Sequence, residues 1–312
     1  MKLVLLDAQT LGKDLDLAVL KQFGELITYP TTSAKETADR IRDTEIILTN
    51  KVIIDRPLME QASRLKLICV TATGMNNIDL NAAESLGITV KNVAGYSTHS
   101  VAQHTFATAL YLIEKLAYYN QIVKDKTWSK QALFTDVSRP YFEIAGKQWG
   151  IIGMGSIGQE VAKIATAFGA TVSYHSTSGG NTQQPYTHKS LEALLRDSDI
   201  LSIHAPLNAQ THNLLHRGNL PLLKEGAVLL NMGRGGIIHE IDLAAELNRR
   251  ELYAGLDTTV QEPIQTDHPL LRLTHPDRLL ITPHIAWASI EARKKLLEGI
   301  VANIRSFLKE SA

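Results

Sequence analysis

A glycine-rich turn within residues 148–158 most constrains the fold of this chain. Residues 149–152 are an apolar run, and Gly153, Gly155 and Gly158 follow it in G-x-G-x-x-G spacing. Apolar residues then recur at helical steps, at Ile157, Val161, Ile164 and Phe168. In a strand, turn and helix of this kind, the glycines allow a tight turn, close approach of a pyrophosphate, and close packing of the helix on the strand. We therefore expect a dinucleotide to bind here, with its phosphates at the helix N-terminus, where N–H groups lack partners within the helix.

Length, charge and hydropathy set the broad class of the protein. Its 312 residues suit two domains of roughly 100–200 residues each. The 32 Lys and Arg are balanced by 32 Asp and Glu, so neither nucleic acid nor an anionic membrane is expected as a partner. The single cysteine, Cys69, cannot form an internal disulfide, and no apolar run is long enough for a membrane span or a signal peptide core. We therefore expect a soluble, cytoplasmic protein.

Short apolar runs alternate with segments of helical periodicity along the whole chain. Strands are predicted at 3–6, 25–29, 45–48, 65–70, 88–90, 149–152, 170–174, 200–204, 227–231, 253–256 and 279–281. Helices are predicted at 13–23, 35–43, 57–63, 79–86, 97–123, 189–196, 217–224, 239–249 and 287–309. This alternation is typical of an α/β protein with two doubly wound parallel sheets. Because the first sheet lacks a closing helix, we expect one domain to consist of 1–97 plus 286–312, and the nucleotide-binding domain to consist of 98–285.

The segment 124–145 is rich in aromatic residues but has little periodicity. It includes Trp128, Phe134, Tyr141 and Phe142. An exposed arm of this kind buries its aromatic side chains against another surface, and a partner subunit is a natural one. We therefore expect a homodimer that uses this arm.

Three side chains suited to chemistry each follow one of the last three predicted strands: Arg234, Glu262 and His284. The planar fork of an arginine suits a carboxylate held by two hydrogen bonds. A histidine exchanges protons near neutral pH, and a neighbouring carboxylate orients its ring and stabilises its charged form. Taken singly, each residue also fits a structural role, as a surface arginine, a capping glutamate or a hydrogen-bonded histidine. Together they indicate a site that binds a carboxylate and transfers a proton.

Two pairs of histidines are close in sequence, His99 with His104 and His212 with His216. No cluster of acids or cysteines accompanies either pair, so no metal site is expected. His104 is expected to be a buried helix residue. No serine stands in a nucleophile-elbow sequence, which argues against a hydrolase.

Over nearly its whole length, the chain resembles the D-isomer-specific 2-hydroxyacid dehydrogenases. The motifs that carry the resemblance are Val101-Ala-Gln-His104, Gly153-Met-Gly-Ser-Ile-Gly158, His204-Ala-Pro-Leu207, Asn231-Met-Gly-Arg-Gly235, Asp257 with Glu262-Pro263, and Pro283-His284. The resemblance implies that both chain ends form a flavodoxin-like substrate domain and that a Rossmann nucleotide-binding domain is inserted between them.

The resemblance also implies roles for individual residues. Arg234 would bind the substrate carboxylate and polarise the 2-oxo group, His284 would be the general acid/base, and Glu262 would hold His284. Backbone amides of a loop in the substrate domain would assist the carboxylate, at Ala72, Thr73 and Gly74. The implied cofactor contacts, in which Asp257 meets the nicotinamide carboxamide, are Gly153, Gly155, Ser156, Ile157, Gly158, His175, Ser176, Thr177, Ala205, Pro206, Thr211, Met232, Gly233, Asp257 and His284.

The chain departs from the family pattern at two places. Gln103 stands where many members have Glu. The Gln form at this position also resembles some glycerate dehydrogenases. The acid usual after the second strand of the nucleotide domain is missing, and His175, Ser176 and Thr177 occupy its place. No carboxylate there repels a 2′-phosphate, and no fixed cation attracts one. We expect NAD(H) to be favoured, with use of NADP(H) that improves as His175 gains a proton.

These observations indicate an oxidoreductase that transfers a hydride between a nicotinamide cofactor and a small 2-oxo acid, with hydroxypyruvate or glyoxylate as the expected substrate. An alternative on the same fold is a dinucleotide-sensing regulator that resembles a corepressor, since a fold does not fix a function. The presence of Arg234, Glu262 and His284 together favours the enzyme.

Overall fold

The computed structural model describes residues 1–310. Within them the chain forms two compact units, one of Met1–Ser97 with the stretch from Ala288 onward and one of Thr98–Trp287. The second unit thus extends two residues beyond the boundary expected from the sequence. Each unit is built on one sheet whose strands are all parallel. The predicted α/β class with two parallel sheets is confirmed.

The first unit has a five-stranded sheet in the order β2-β1-β3-β4-β5. Its strands are β1 Lys2–Leu5, β2 Glu25–Thr28, β3 Ile46–Thr49, β4 Leu67–Val70 and β5 Thr89–Lys91, and helices between them are α1 Ala34–Ile41, α2 Arg56–Gln61 and α3 Leu80–Ser85. The β3 and β4 strands are fully buried, as expected for a parallel sheet covered on both faces. This strand order is that of flavodoxin-like folds. The helix predicted at 13–23 is wrong, because short 3-10 helices at Ala8–Leu11 and Leu17–Phe23 occupy this region.

The second unit has a seven-stranded sheet in the order β12-β11-β10-β9-β6-β7-β8. Its strands are β6 Gln148–Ile152, β7 Thr171–His175, β8 Thr187–His188, β9 Ile200–Ile203, β10 Val228–Asn231, β11 Tyr253–Leu256 and β12 Leu279–Ile281. Its helices are α4 Thr98–Ile113, α5 Leu116–Lys124, α6 Ser156–Ala167, α7 Leu191–Asp197 and α8 Glu240–Arg249. The strand β8 was not predicted. The helix predicted at 217–224 is only a 3-10 turn, Leu220–Leu222.

Two hydrophobic clusters cover the central strands of this second sheet. One contains the fully buried Trp149, whose Nε1–H donates to Ser202 Oγ at 3.0 Å. The indole thereby satisfies its only polar group inside the core. The strand order determines which loops meet at the carboxyl edge of the sheet.

The long helix predicted at 97–123 is in fact two helices, α4 and α5. Lys115 between them has a left-handed backbone with φ of 55°, which interrupts the helix. Its Nζ lies 3.2 Å from the centre of the Tyr253 ring, and burial lowers the pKa of Lys115 to about 8. The periodicity of the sequence did not reveal this break.

The segment 124–145 contains a 3-10 turn, Trp128–Lys130, and exposes much of its apolar surface. Its exposed apolar side chains are Trp128, Leu133, Phe134, Val137 and Tyr141. Phe134 is 88% exposed, the largest value among them. Phe142, by contrast, packs against the core of the second unit.

The last helix, α9 Ile290–Glu310, belongs to the first unit and contacts β4. Arg293 on this helix donates to the carbonyl of Leu11 at 2.9 Å and forms an ion pair with Asp14. These bonds connect two segments of the chain that are remote in sequence. In residues 1–310, we find no helix with the length and apolar character that crossing a membrane requires.

Candidate active site

Three neighbouring strands of the second unit deliver the predicted catalytic side chains. The strands β10, β11 and β12 lie side by side at one end of the sheet, and Arg234, Glu262 and His284 follow them in that order. The carboxyl ends of parallel strands form the edge at which such sheets bind ligands. The strand order therefore gathers the loops that carry all three residues at the same edge.

The loop after β10 is held by Asn231, which is 2% exposed. Its side chain donates to the carbonyl of Arg234 at 2.9 Å and accepts from the N–H of Gly233 at 3.1 Å. The Arg234 Nη1–H donates to the Gly233 carbonyl at 2.9 Å. No carboxylate forms an ion pair with Arg234 within residues 1–310. Its remaining guanidinium donors can bind an external carboxylate.

The loop of Arg234 packs directly on the loop that carries Glu262. A Cβ atom at Gly235 would lie 2.1 Å from the carbonyl carbon and oxygen of Thr259, so only glycine fits there. The backbone N–H of Val260 also donates to the buried Glu240 carboxylate at 2.7 Å. These contacts fix the position of the Glu262 loop against its neighbours.

Glu262 and His284 form a direct pair. The Nδ1 atom of His284 lies 2.8 Å from Glu262 Oε2, and the side chains are 21% and 32% exposed for His284 and Glu262 respectively. Because a carboxylate only accepts hydrogen bonds, Nδ1 carries the proton in this pair. The Nε2 atom is therefore the nitrogen that can exchange a proton with a substrate.

Asp257, which follows β11, holds the loop of His284. It is 2% exposed, and its carboxylate accepts from Thr282 Oγ1 at 2.6 Å and from the N–H groups of Ile285 and Ala286 at 2.9 Å each. His284 between these groups has φ of 54°, a left-handed conformation uncommon for residues other than glycine. The buried carboxylate thus keeps His284 in a conformation that the residue rarely adopts alone. A contact between Asp257 and a nicotinamide carboxamide stays a prediction.

His104 joins this network and was missed as a site residue. It is a helix residue, as expected, but the expected burial is wrong, because its side chain is 19% exposed and meets a polar cluster. His104 Nε2 lies 3.0 Å from Thr282 Oγ1 and 3.7 Å from Asp257 Oδ1. Since the Thr282 hydroxyl donates to Asp257, its oxygen accepts from His104. Only its place in the motif at 101–104 could have signalled this role.

His204 does not compete with His284 as an acid/base. Both ring nitrogens of His204 are buried and lack a partner among the described residues. Burial lowers the pKa of His204 to about 3, so its ring is neutral near pH 7 and shut off from solvent protons.

The glycine-rich turn between β6 and α6 fits a dinucleotide. A Cβ atom at Gly158 would lie 2.2 Å from Gly153 O, and one at Gly153 would lie 2.7 Å from Ala205 N. At Gly155 a Cβ would meet no protein atom within 4 Å. Packing therefore requires glycine at positions 153 and 158, while the space over Gly155 leaves the backbone open to a ligand. With Ser156 and Ile157 in the first turn of α6, this arrangement suits a pyrophosphate.

The turn of His175, Ser176 and Thr177 adjoins the glycine-rich turn, since Gly153 N–H donates to the His175 carbonyl at 3.0 Å. Sequence reasoning missed His188, whose ring lies 6.2 Å from that of His175, centre to centre. The strand β8 brings His188 beside β7, and two residues of strand gave no signal in the sequence.

The other predicted cofactor contacts occupy the loops after β9 and β10. Ala205 and Met232 are buried. Thr211 is fully buried, and its hydroxyl donates to the Pro206 carbonyl at 2.7 Å and accepts from Asn208 N–H at 2.8 Å. These bonds hold the turn at 206–211, and direct contact of Thr211 with a cofactor stays a prediction.

The predicted substrate loop, with Ala72, Thr73 and Gly74, follows β4 in the first unit. The Ala72 carbonyl accepts from Val93 N–H at 3.1 Å, and the Thr73 hydroxyl donates to the Val93 carbonyl at 3.1 Å. No hydrogen bond of the Thr73 and Gly74 N–H groups to a protein acceptor is found in the described part of the chain, so both groups can bind a ligand. No group of three or more His, Cys, Asp or Glu that could hold a metal is found there either.

Comparison with known proteins decides the family. The profile of the D-isomer specific 2-hydroxyacid dehydrogenase NAD binding domain matches residues 106–286. The chain belongs to this family. It is 38% identical over 320 aligned residues to a hydroxypyruvate reductase of Blautia hydrogenotrophica, covering 100% of this chain and 98% of that protein. It is 36% identical to a putative 2-hydroxyacid dehydrogenase of Haemophilus influenzae, covering 99% of both.

Solved structures agree with this family. An acyclic imino acid reductase in complex with NADPH and D-Arg has a TM-score of 0.87 and 29% identity, over 99% of this chain and 98% of that one. As a D-isomer specific 2-hydroxyacid dehydrogenase, the protein is an NAD-dependent oxidoreductase with a small-molecule substrate. The relatives give no support to the regulatory alternative.

Proposed function

We propose that this dehydrogenase reduces hydroxypyruvate or glyoxylate to the corresponding 2-hydroxy acid, the D-isomer in the case of hydroxypyruvate. The observation that carries the proposal is the 2.8 Å pair of His284 and Glu262 beside a loop whose Arg234 has free donors. A cation with a planar fork and a histidine with one free nitrogen suit a small acid with a 2-oxo group. The name of the hydroxypyruvate reductase that is 38% identical to this chain supports the choice of substrate.

In the proposed reaction, Arg234 binds the substrate carboxylate and polarises the 2-oxo group, with help from the amides of Ala72, Thr73 and Gly74. When bound, NADH would supply the hydride for this reduction. His284 Nε2–H donates a proton to the 2-oxo oxygen, and Glu262 stabilises the charged ring before the transfer. The direction is reduction as written, and the same groups act in reverse for oxidation.

The proposed cofactor site belongs to the second unit. The turn of Gly153, Gly155 and Gly158 with the start of α6 would hold the pyrophosphate, and the turn at 175–177 would hold the adenine ribose. Asp257 would face the nicotinamide carboxamide. NAD(H) is the favoured cofactor, and NADP(H) is a possible second one.

We further propose that the enzyme is a cytoplasmic homodimer that does not bind nucleic acid. The exposed apolar side chains of 124–145 support the dimer. The balanced charge supports the absence of nucleic acid, and the single buried cysteine suits a reducing compartment.

The test is the loss of reduced-nicotinamide absorbance when the purified protein is mixed with NADH and a panel of 2-oxo acids. We expect turnover with hydroxypyruvate, glyoxylate or both, and loss of most turnover in His284→Ala while NADH still binds. No turnover of any 2-oxo acid by a protein that binds NADH would contradict the proposed function.

A further inference from the structure

Two histidines remote in sequence meet at the outer edge of the second sheet. The strand β7 ends at His175, and β8 pairs with it in parallel so that His188 lies opposite Tyr174. The His175 and His188 rings are nearly parallel, at 13°, with their centres 6.2 Å apart. Ser176, 7% exposed, lies next to both rings.

Hydrogen bonds indicate which ring nitrogens carry protons when both rings are neutral. His175 Nδ1 lies 3.1 Å from the carbonyl of Lys189, so Nδ1–H donates and Nε2 is free of a proton. Ser176 N–H points at His188 Nε2, 3.5 Å away, so this nitrogen acts as an acceptor. A proton on His188 Nε2 would end that bond, and the Ser176 N–H would become available to another acceptor.

This cluster lies where a dinucleotide fold reads the 2′ position of the adenine ribose. That position is at the end of the second strand beyond the glycine-rich turn, and Gly153 N–H bonds the His175 carbonyl. An acidic residue usually occupies this place in NAD-dependent proteins, and an arginine usually serves a 2′-phosphate. Here the groups at the end of β7 are histidine, serine and threonine.

Lys189 and Arg196, the cations that follow β8 in the chain, are already paired. Lys189 Nζ lies 2.6 Å from Asp197, and Arg196 pairs with Glu192 at 2.9 Å. Tyr174 places its ring 5.2 Å from that of His188 and is fully buried. New positive charge beside the turn at 175–177 can therefore come from protonation of the two histidines.

We propose that His188, acting with His175, selects the cofactor according to pH. While both rings are neutral, His188 Nε2 accepts the hydrogen bond of the Ser176 N–H, and the site binds NAD(H). When they are protonated, the rings supply positive charge and the Ser176 N–H turns to the 2′-phosphate of NADP(H). This inference rests on the proposed cofactor site and adds a residue that neither the turn at 175–177 nor the family motif includes.

The test is calorimetric titration of the protein with NADPH and with NADH near pH 6 and pH 8, in two buffers of different ionisation enthalpy. We expect NADPH to bind about tenfold or more tightly at the lower pH, as for a new hydrogen bond to a charged group, with uptake of protons. NADH should bind with nearly the same affinity at both. Because a phosphate itself titrates near pH 6, variants must isolate the contribution of the protein.

Three variants separate the roles. His188→Gln should lose most of the pH dependence of NADPH affinity and most of the proton uptake. His188→Arg should bind NADPH tightly near pH 8 as well as near pH 6. His275→Gln, an exposed histidine that precedes β12, should behave as the parent does.

Equal NADPH affinity of the parent at both pH values would overturn the inference, as would His188→Gln with the full pH dependence of the parent. In either case NADH binding would still stand, and with it the proposed dehydrogenase. Failure of the parent to bind NADH would instead remove the proposed cofactor site itself. NADH binding by each variant also shows that the variant is folded.

Discussion

Arg234 and His284 are partly exposed, and each uses only part of its hydrogen-bonding capacity inside the protein. Arg234 donates through Nη1 to the Gly233 carbonyl, and His284 gives Nδ1–H to Glu262. The other guanidinium N–H groups of Arg234 can bind the substrate carboxylate, and Nε2 of His284 can exchange a proton with the substrate.

Arg234→Lys should cost far more than its preserved charge suggests, because Lys lacks the planar fork. We expect a loss of about 2–4 kcal/mol of transition-state stabilisation, or roughly 30- to 1000-fold in kcat/KM. NADH affinity should hardly change. The measurement is steady-state kinetics with the preferred 2-oxo acid. Arg272→Lys, at an exposed arginine, is the control. A kcat/KM of Arg234→Lys within about threefold of the parent would show that Arg234 does not bind the substrate carboxylate.

Glu262→Gln should keep activity at low pH but lose it earlier as the pH rises. The carboxylate 2.8 Å from Nδ1 favours the protonated ring, and reduction requires that proton. Without that charge the protonated ring loses a stabilising partner, so the alkaline limb of the kcat/KM profile should move to lower pH. The exposed Glu225→Gln should leave the profile unchanged. Coincident profiles for the parent and Glu262→Gln would remove Glu262 from the mechanism.

At the scale of elements, the glycines between β6 and α6 serve two purposes. Gly153 and Gly158 are required by packing within the protein, whereas Gly155 leaves space for a ligand. Gly155→Ala adds a methyl group that meets no protein atom within 4 Å. We expect stability within about 0.5 kcal/mol of the parent, as for a surface substitution, but NADH affinity weaker by about tenfold or more, because the backbone can no longer approach the pyrophosphate.

Gly158→Ala is the matched contrast, because its Cβ would lie 2.2 Å from Gly153 O. This variant should be destabilised by about 1–3 kcal/mol, the usual cost of overpacking. Thermal denaturation and NADH titration of both variants make the comparison. Unchanged NADH affinity in Gly155→Ala would show that the pyrophosphate does not approach this turn.

At the scale of the whole molecule, the segment 124–145 presents apolar side chains that the chain itself does not cover. Phe134 and Leu133 are 88% and 68% exposed. We expect light scattering at micromolar concentration to give twice the mass of one chain, and the double substitution Leu133→Ser with Phe134→Ser to shift the protein toward the monomer. Ile53→Ser, at a residue 66% exposed in the first unit, should leave the mass unchanged. A monomeric parent would contradict the proposed dimer.

Local signals in the sequence were sufficient for most of the fold. Eleven of the strands and the glycine-rich turn follow from short apolar runs and from glycine spacing, because a buried parallel strand needs apolar residues on both faces. The break at Lys115 and the 3-10 helices before β2 were not predictable in this way. A left-handed residue between two amphipathic stretches leaves their periodicity nearly unchanged.

For the site, the sequence by itself determined which residues follow which strands, and so placed Arg234, Glu262 and His284 at one edge of a sheet. Only the tertiary structure decided which distant residues support them. His104 reaches Thr282 and Asp257 across 178 and 153 residues of sequence, and His188 reaches His175 through the pairing of a two-residue strand. Such contacts depend on strand order and on the packing of helices against the sheet. The local sequence around each of these residues specifies neither.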